Sequence, residues 1–316
     1  MKSRTLVPRL SLGSLLLAAW LGCPTWAADE PVALKAKWPN GRRSVHRITA
    51  VTDQKMTLPT APQPIQQTIT QTLEYRVAAG PDLPGGGQEL GLEVARLQLL
   101  SAMGAQTVMN FDSSKPAADD AGNPVAGMLR PLVGAKLKVL TTPSGKLDKV
   151  DGYAEVRTKM MASAPPMVAG MMEGMFGENL VEQLGILPAY LPTKPVKTDD
   201  EWPLRTEVSG GPIGTITMNG TTKLVRWEKR QDRDCVVLEG KGRLWSQPKP
   251  GGASIGSVSG EFTTTTWFDP KEGMQVESIS SQTLTAKLKL MGQEMTVPST
   301  QKATNVLVSV EAPAKP

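Results

Sequence analysis

Apolar and polar residues alternate with a period of two along most of this chain, the signature of strands with one covered face. Over residues 67–77, Ile69, Leu73, Tyr75 and Val77 share one parity, and Thr70, Thr72, Glu74 and Arg76 share the other. Residues 90–100 repeat the pattern through Leu90, Leu92, Val94, Leu97 and Leu99, with a slip at Ala95-Arg96 that predicts a bulge or bend. Further strands are predicted over 107–111, 136–141 and 147–150, the last two joined by a hairpin turn at Pro143-Ser144-Gly145. In the second half, 215–218 and 221–227 flank Asn219-Gly220, which reads as a two-residue hairpin turn because both residues accept positive φ. Strands are also predicted over 235–238, 242–247, 261–268, 274–280, 281–291, 294–297 and 303–310, with a turn at Asp269–Gly273. Residues 83–87, 113–124 and 248–256 read as loops.

Between the two halves the period changes. Residues 153–164 can form a helix, Pro165-Pro166 breaks it, and Pro166 can open a second one. There Met167, Met171 and Met175 fall at i, i+4 and i+8, with Val168, Met172 and Phe176 in an adjoining stripe. The expected fold is therefore α+β, predominantly antiparallel sheet with a short Met-rich helical insert. The division is a signal peptide over 1–27, a β unit over 28–152, the insert over 153–190, a second β unit over 191–311 and a flexible tail over 312–316. Segment 54–60 resembles segment 293–299, so the two β units are either related or alike only in composition.

The first residues form an export signal: Lys2, Arg4 and Arg9, then the apolar run Leu10–Gly22, then Thr25-Trp26-Ala27. That run is shorter than the about 20 residues a membrane-spanning helix needs. It places the protein in the bacterial periplasm or envelope. The full chain of 316 residues has 35 basic and 30 acidic residues, a charge of +5. Taking the leader's three basic residues from 35 leaves 32 against 30, a balance of +2. No basic run interleaved with aromatics remains, which excludes nucleic-acid binding. Trp20-Leu21-Gly22-Cys23 has the shape of a lipobox, so lipidation at Cys23 and an outer-membrane lipoprotein are the alternative to cleavage after Ala27. Cys235, beside Val236-Val237-Leu238, reads as a core residue.

The chemistry-bearing residues are few. His46 is the only histidine, so Ser-His-Asp or Cys-His catalysis would have to use it. It reads as a solvent-facing or edge residue of the first strand. One histidine and one cysteine beyond the leader cannot fill a tetrahedral zinc shell. Asp119-Asp120 and Asp199-Asp200-Glu201 read as solvated turns, and Asn219-Gly220-Thr221 matches a glycosylation acceptor that the hairpin already explains. No catalytic residue, metal ligand or cofactor is expected, and the chain is not expected to be an enzyme. The distinctive feature is Met160, Met161, Met167, Met171, Met172 and Met175, six of the fifteen methionines. They can be soft core packing, an adaptable apolar wall, or a Cu(I) site, the last disfavoured by the lack of nearby His or Cys. The leading expectation is a non-enzymatic envelope protein in which Met167, Met171, Met172, Met175 and Phe176 wall a groove for a lipid acyl chain, apolar peptide or partner protein. A structural or assembly factor without a small ligand is the alternative, and a carboxylate-based hydrolase the third class.

Thr193-Lys194-Pro195-Val196-Lys197-Thr198-Asp199-Asp200-Glu201-Trp202 supplies Pro-Val, a polar stretch and Trp, and Phe268-Asp269 with Gly273 follows as a hairpin. This arrangement resembles a secreted bacterial domain-of-unknown-function family, number 6263. In that family Gly-Asp often precedes the Trp, where this chain has Thr198-Asp199-Asp200. The resemblance implies strands on either side of a helical middle and brings no activity with it. Trp202 is expected to anchor the linker against the second β unit.

Overall fold

The alternation builds twelve strands: β1 (Arg43–Met56), β2 (Ile65–Asp82), β3 (Gln88–Met103), β4 (Gln106–Asp112), β5 (Lys136–Thr141), β6 (Leu147–Asp151), β7 (Glu201–Ser209), β8 (Thr215–Arg230), β9 (Arg233–Gln247), β10 (Gly256–Asp269), β11 (Met274–Leu290) and β12 (Gln293–Glu311). The structure, a computed structural model, describes residues 30–57, 63–121, 123, 125–162, 184, 186–209, 214–247, 256–290 and 293–311. All twelve strands join one open antiparallel sheet in the order β6-β5-β3-β2-β1-β12-β11-β10-β9-β8-β7, with β4 on β3. The first strand pairs with the last, from Arg43 opposite Glu311 to Gln54 opposite Ser299, so the two sets of strands form one sheet. The far edge of β3 is shared: β5 pairs with Glu89–Glu93 and β4 with Gln98–Met103.

Several local expectations hold. Glu74 opposes Arg96 and Tyr75 opposes Val94, which leaves Ala95 as an extra residue where the parity slips. Gly145, at φ 75°, closes the β5–β6 hairpin, its N–H donating to the Thr142 carbonyl. Gly273, at φ 66°, closes the β10–β11 turn onto the Asp269 carbonyl.

Asn219-Gly220 is not a turn. It lies inside β8, where Gly220 pairs with Gly242 of β9. A Cβ on Gly220 would stand 2.1 Å from the Lys241 carbonyl oxygen, and one on Gly242 would stand 2.2 Å from that of Asn219. These glycines answer a close approach of two backbones, not a positive φ. The predicted pair 274–280 and 281–291 is likewise one strand, β11, and 294–297 with 303–310 is one strand, β12. Ladders on both flanks hold such strands through Ser, Thr and Gly positions that read as breaks in isolation.

Helix is sparse among the described residues: α1 (Ala126–Leu129) and α2 (Tyr153–Ala162) are the two α-helices. The predicted second helix, with Met167, Met171, Met172, Met175 and Phe176, lies outside the described residues, as do the predicted leader over 1–27 with Cys23 and the predicted tail over 312–316.

One face of the sheet, here the inner face, is covered at one end. In the N-terminal half Leu73, Tyr75, Leu90, Leu92, Val94 and Leu97 pack with Met128 and Leu129 of α1 and Val156 and Met160 of α2. Full burial of each such apolar side chain stabilises by about 1.5–3 kcal/mol. In the C-terminal half Leu224, Val236, Leu238 and Phe268 pack with Leu34 and Val196. Leu34 belongs to a strap that precedes β1. Val32 pairs with Val196, the Lys37 N–H donates to the Gly273 carbonyl (2.9 Å), and buried Arg42 donates to Glu272 Oε2 (2.7 Å). Trp202 does anchor the linker, its Nε1 donating to the Tyr190 carbonyl at 2.8 Å.

Candidate functional site

Cross-strand partners in a sheet point to the same face, so the register defines the inner surface residue by residue. One row runs from Leu97 on β3 through Leu73, Ile48 and Asn305 to Leu224 on β8. Successive rows, two residues on, pass through Ala50 and Ala303, then Thr52 and Gln301, then Gln54 and Ser299, each crossing the same eight strands. These four rows contain no Lys, Arg, Asp, Glu or His. Along these rows the neighbouring charged residues have the other parity: Arg47, Asp53, Glu74, Arg76, Glu261, Lys287 and Lys302 point outward, and the inward pair Lys229 and Asp234 lies beyond them, past the β8 bulge. Away from the covered end several inner residues are half-buried, among them Ala50, Ile69, Gln71, Leu99 and Ala303, while Ser101, Phe262, Leu244, Met295 and Val297 are buried.

Where the two halves meet, the covered end encloses a cavity of about 30 Å³, lined by Trp38, His46, Tyr75, Phe268, Gln275 and Asn305 among others. That is room enough for a water molecule. His46 stacks on Tyr75 with ring centroids 5.2 Å apart and planes within 10°. The Asn305 amide donates to the Tyr75 hydroxyl at 3.2 Å, and that hydroxyl donates to the Leu184 carbonyl at 3.2 Å. The Tyr190 hydroxyl donates to Gln275 Oε1 at 2.9 Å. Asn305 Oδ1 is buried and has no protein partner. Burial raises the pKa of both tyrosines, opposed at Tyr75 by the Asn305 hydrogen bond.

His46 is not a solvent-facing or edge residue. It is 7% exposed on a central strand, because β1 has β2 on one side and the distant β12 on the other. Burial lowers its pKa to about 4, so the ring is neutral at neutral pH. Its Nε2 lies 3.2 Å from the Ser44 hydroxyl, the spacing of a nucleophile and base. Ser44, however, is 2% exposed and is not among the residues that line the cavity.

Cys235 is fully buried, and burial, with Asp269 nearby, pushes its pKa up to about 12, which leaves an unreactive thiol. Asp120 pairs with Arg130 (2.6 Å) and Asp199 with Lys223 (2.8 Å), while Asp200 accepts the Lys197 N–H. The Asp112 carboxyl is held well below the usual range: burial opposes this, but bonds from the Ser114 N–H and hydroxyl and the Gln98 amide, with the Arg96 charge, outweigh it. Among the described residues no group of His, Cys, Asp or Glu is arranged to hold a metal ion, and no helix is long and apolar enough to cross a membrane. Met160 is 1% exposed in the N-terminal core, and Met161 packs against the same cluster. The uncharged rows are open to sequence reasoning in strands such as β1 and β2, where charge sorts by parity, but in β8 the bulge after Leu224 hides the sorting.

An open antiparallel sheet with four uncharged rows on its inner face is the class of protein these features define. The chain belongs to the family of unknown function DUF6263, whose model matches residues 87–275. No curated protein matches it in sequence. Among solved structures it is similar to a lipovitellin described under the words lipid-protein interactions, with TM-score 0.45 and 10% identity over 89% of this chain; it spans only 26% of the lipovitellin chain. It is also similar to DynF of the dynemicin biosynthesis pathway from Micromonospora chersina, with TM-score 0.23 and 6% identity over 89% of this chain and 86% of that one. An outer membrane channel from Pseudomonas putida F1 has TM-score 0.20 and 6% identity over 88% of this chain and 99% of that one. At TM-scores this low, none of these likenesses carries an argument.

Proposed function

We propose that this chain is an exported, non-enzymatic protein of the bacterial cell envelope that holds a lipid acyl chain on the half-covered inner face of its sheet. The observation that carries this reading is the run of four inner rows across eight strands without a charged side chain. Opposite-facing positions in those strands carry Lys, Arg, Asp and Glu, so the partition is between faces, not a general lack of charge. A solvated face has no need to exclude charge, whereas a face that takes up hydrocarbon does, because unpaired buried charge is expensive. An acyl chain suits the face better than a peptide. The ladders of the central strands are paired on both sides, so a peptide laid there would lose water from its backbone without a strand edge to bond. Export rests on the leader.

The test is native mass spectrometry of the chain purified from the envelope, followed by titration with an environment-sensitive acyl probe. Bound lipid is expected, and Ala50→Glu, an inward charge, is expected to weaken probe binding at least tenfold. Thr49→Glu, its exposed outward neighbour, should leave binding unchanged. Absence of both co-purified lipid and probe binding would defeat the reading.

A further inference from the structure

Two adjacent inner rows are neither charged nor apolar at their centre. One presents Gln282, Gln301 and Thr52 on β11, β12 and β1; the next presents Ser299, Gln54 and Gln67 on β12, β1 and β2. Their amides and hydroxyls bond across the strands. Gln54 Nε2 donates to Gln67 Oε1 (2.5 Å), Gln67 Nε2 to the Ser101 hydroxyl (2.8 Å), and Gln301 Nε2 to the Thr52 hydroxyl (3.1 Å). Apolar positions lie on both sides of this belt: Ile48 and Leu73 toward the covered end, Met295 and Val297 beyond it.

An amide both donates and accepts, so such a belt matches hydroxyl, ester and amide groups equally well. It offers no cation. A carboxylate or phosphate drawn onto it would lose hydration without a compensating charge. Were the belt merely a wetted stretch of sheet, Lys and Asp would serve there as they do at the outward positions of the same strands, such as Asp53, Lys55 and Lys302.

We infer that the belt receives the uncharged polar part of a neutral glycerolipid, its hydroxyls and ester, and discriminates against lipids whose head is an anion. This rests on the acyl-chain reading above. The test compares 1-monooleoylglycerol with oleate at pH 9, where oleate is ionised, on the full chain after removal of its leader. The two ligands share one hydrocarbon chain, so the apolar contribution cancels. Monooleoylglycerol is expected to bind at least tenfold more tightly. Gln301→Lys, which places a cation in the belt, is expected to reverse that order, with circular dichroism confirming an intact sheet. Gln54→Leu combined with Gln67→Leu should reduce monooleoylglycerol binding at least tenfold while the acyl probe still binds. Oleate binding as tightly as monooleoylglycerol, or an unchanged ratio in folded Gln301→Lys, would overturn the inference and leave the acyl-chain reading standing. Failure of both lipids and the probe to bind would remove that reading and this inference together.

Discussion

The two halves of the sheet cover their inner faces by different means. The N-terminal half has one continuous cluster, in which β2 and β3 bury Leu73, Leu90, Leu92 and Leu97 under α1 and α2. The C-terminal half has smaller clusters, one around Leu34 and Phe268, one of Leu204, Leu244 and Phe262, and one on the outer face of Cys235, Val237, Trp267 and Val276. Its inward positions include Gly220, Gly240, Gly242, Gly256 and Gly260, and a Cβ on any of them would collide with a neighbouring strand. A helix can cover a sheet of ordinary side chains. A sheet whose strands approach one another this closely on the inner side needs glycine there, and among the described residues the strap with Leu34 is part of its cover.

The sharpest way to break this comparison is to put a side chain where backbones meet. Gly220→Val is expected to destabilise by more than about 3 kcal/mol, since the obstacle is the Lys241 carbonyl and not a movable side chain. Gly91→Ala in β3 is the control: its nearest neighbour is the Ala78 Cβ at 3.7 Å. There stability should hold or rise by up to about 1 kcal/mol, because alanine loses less backbone entropy on folding. Urea unfolding of both variants measures the contrast. Equal, small effects would show that the C-terminal glycines are not sites of obligatory close approach.

Gly220 also marks the boundary of what the sequence discloses. Strand existence, the bulge at Ala95, the Pro143–Gly145 hairpin and the core position of Cys235 are all local facts, written in parity, turn chemistry and neighbouring apolar residues. The Asn219-Gly220 reading failed because two requirements select glycine, positive φ and close approach, and only the partner strand tells them apart. The burial of His46 is hidden from the sequence for the same reason: the pairing that buries it joins residues some 260 positions apart in the chain. As for the candidate site, its charge partition is legible in strands without a bulge, such as β1 and β2, but its passage through β8 and its continuity across eight strands depend on register. The Met167–Phe176 wall falls outside the described residues, so the inner rows stand on their own.

A second, smaller effect tests whether the halves behave as one unit at the seam. His46 belongs to the N-terminal half, yet its cavity is also lined by Phe268, Gln275 and Asn305 from the other. Its pKa falls from 6.5 unfolded to about 4 folded. The unfolded chain therefore binds the extra proton between those values, and stability rises with pH across that window. The contribution is complete above pH 6.5 and is lost as pH falls toward 4, by up to about 3 kcal/mol. His46→Phe keeps the stacking partner for Tyr75 and should flatten that part of the profile. Of the five tryptophans after residue 27, four, Trp202, Trp227, Trp245 and Trp267, lie in the C-terminal half. Acid unfolding followed by tryptophan emission and by far-ultraviolet circular dichroism should coincide. Separate transitions would mean that the seam does not couple the halves.

The smallest expected effects concern two outward ion pairs that look alike. In the N-terminal half Arg47 donates to Glu74 Oε2 through Nε (3.2 Å) and Nη2 (2.9 Å), with half of the arginine side chain exposed. In the C-terminal half Arg230 grips both oxygens of Glu277 at 2.7 Å and lies over the Trp267 ring, 4.5 Å from its centroid. Glu277 is 8% exposed, and Cys235, Val237, Trp267 and Val276 cluster on this outer face. Arg230→Ala would strand a buried carboxylate and uncover the indole, at a loss of about 2 kcal/mol. Arg47→Ala removes a pair that water already screens, at a loss below about 0.5 kcal/mol. Double-mutant cycles with Glu277→Gln and Glu74→Gln separate pair energy from the stranding of one partner. A coupling in the C-terminal pair well above that in the N-terminal pair is the expected result. It would mean that the C-terminal half, thinly covered within, gains part of its cover from charged side chains laid over its outer face.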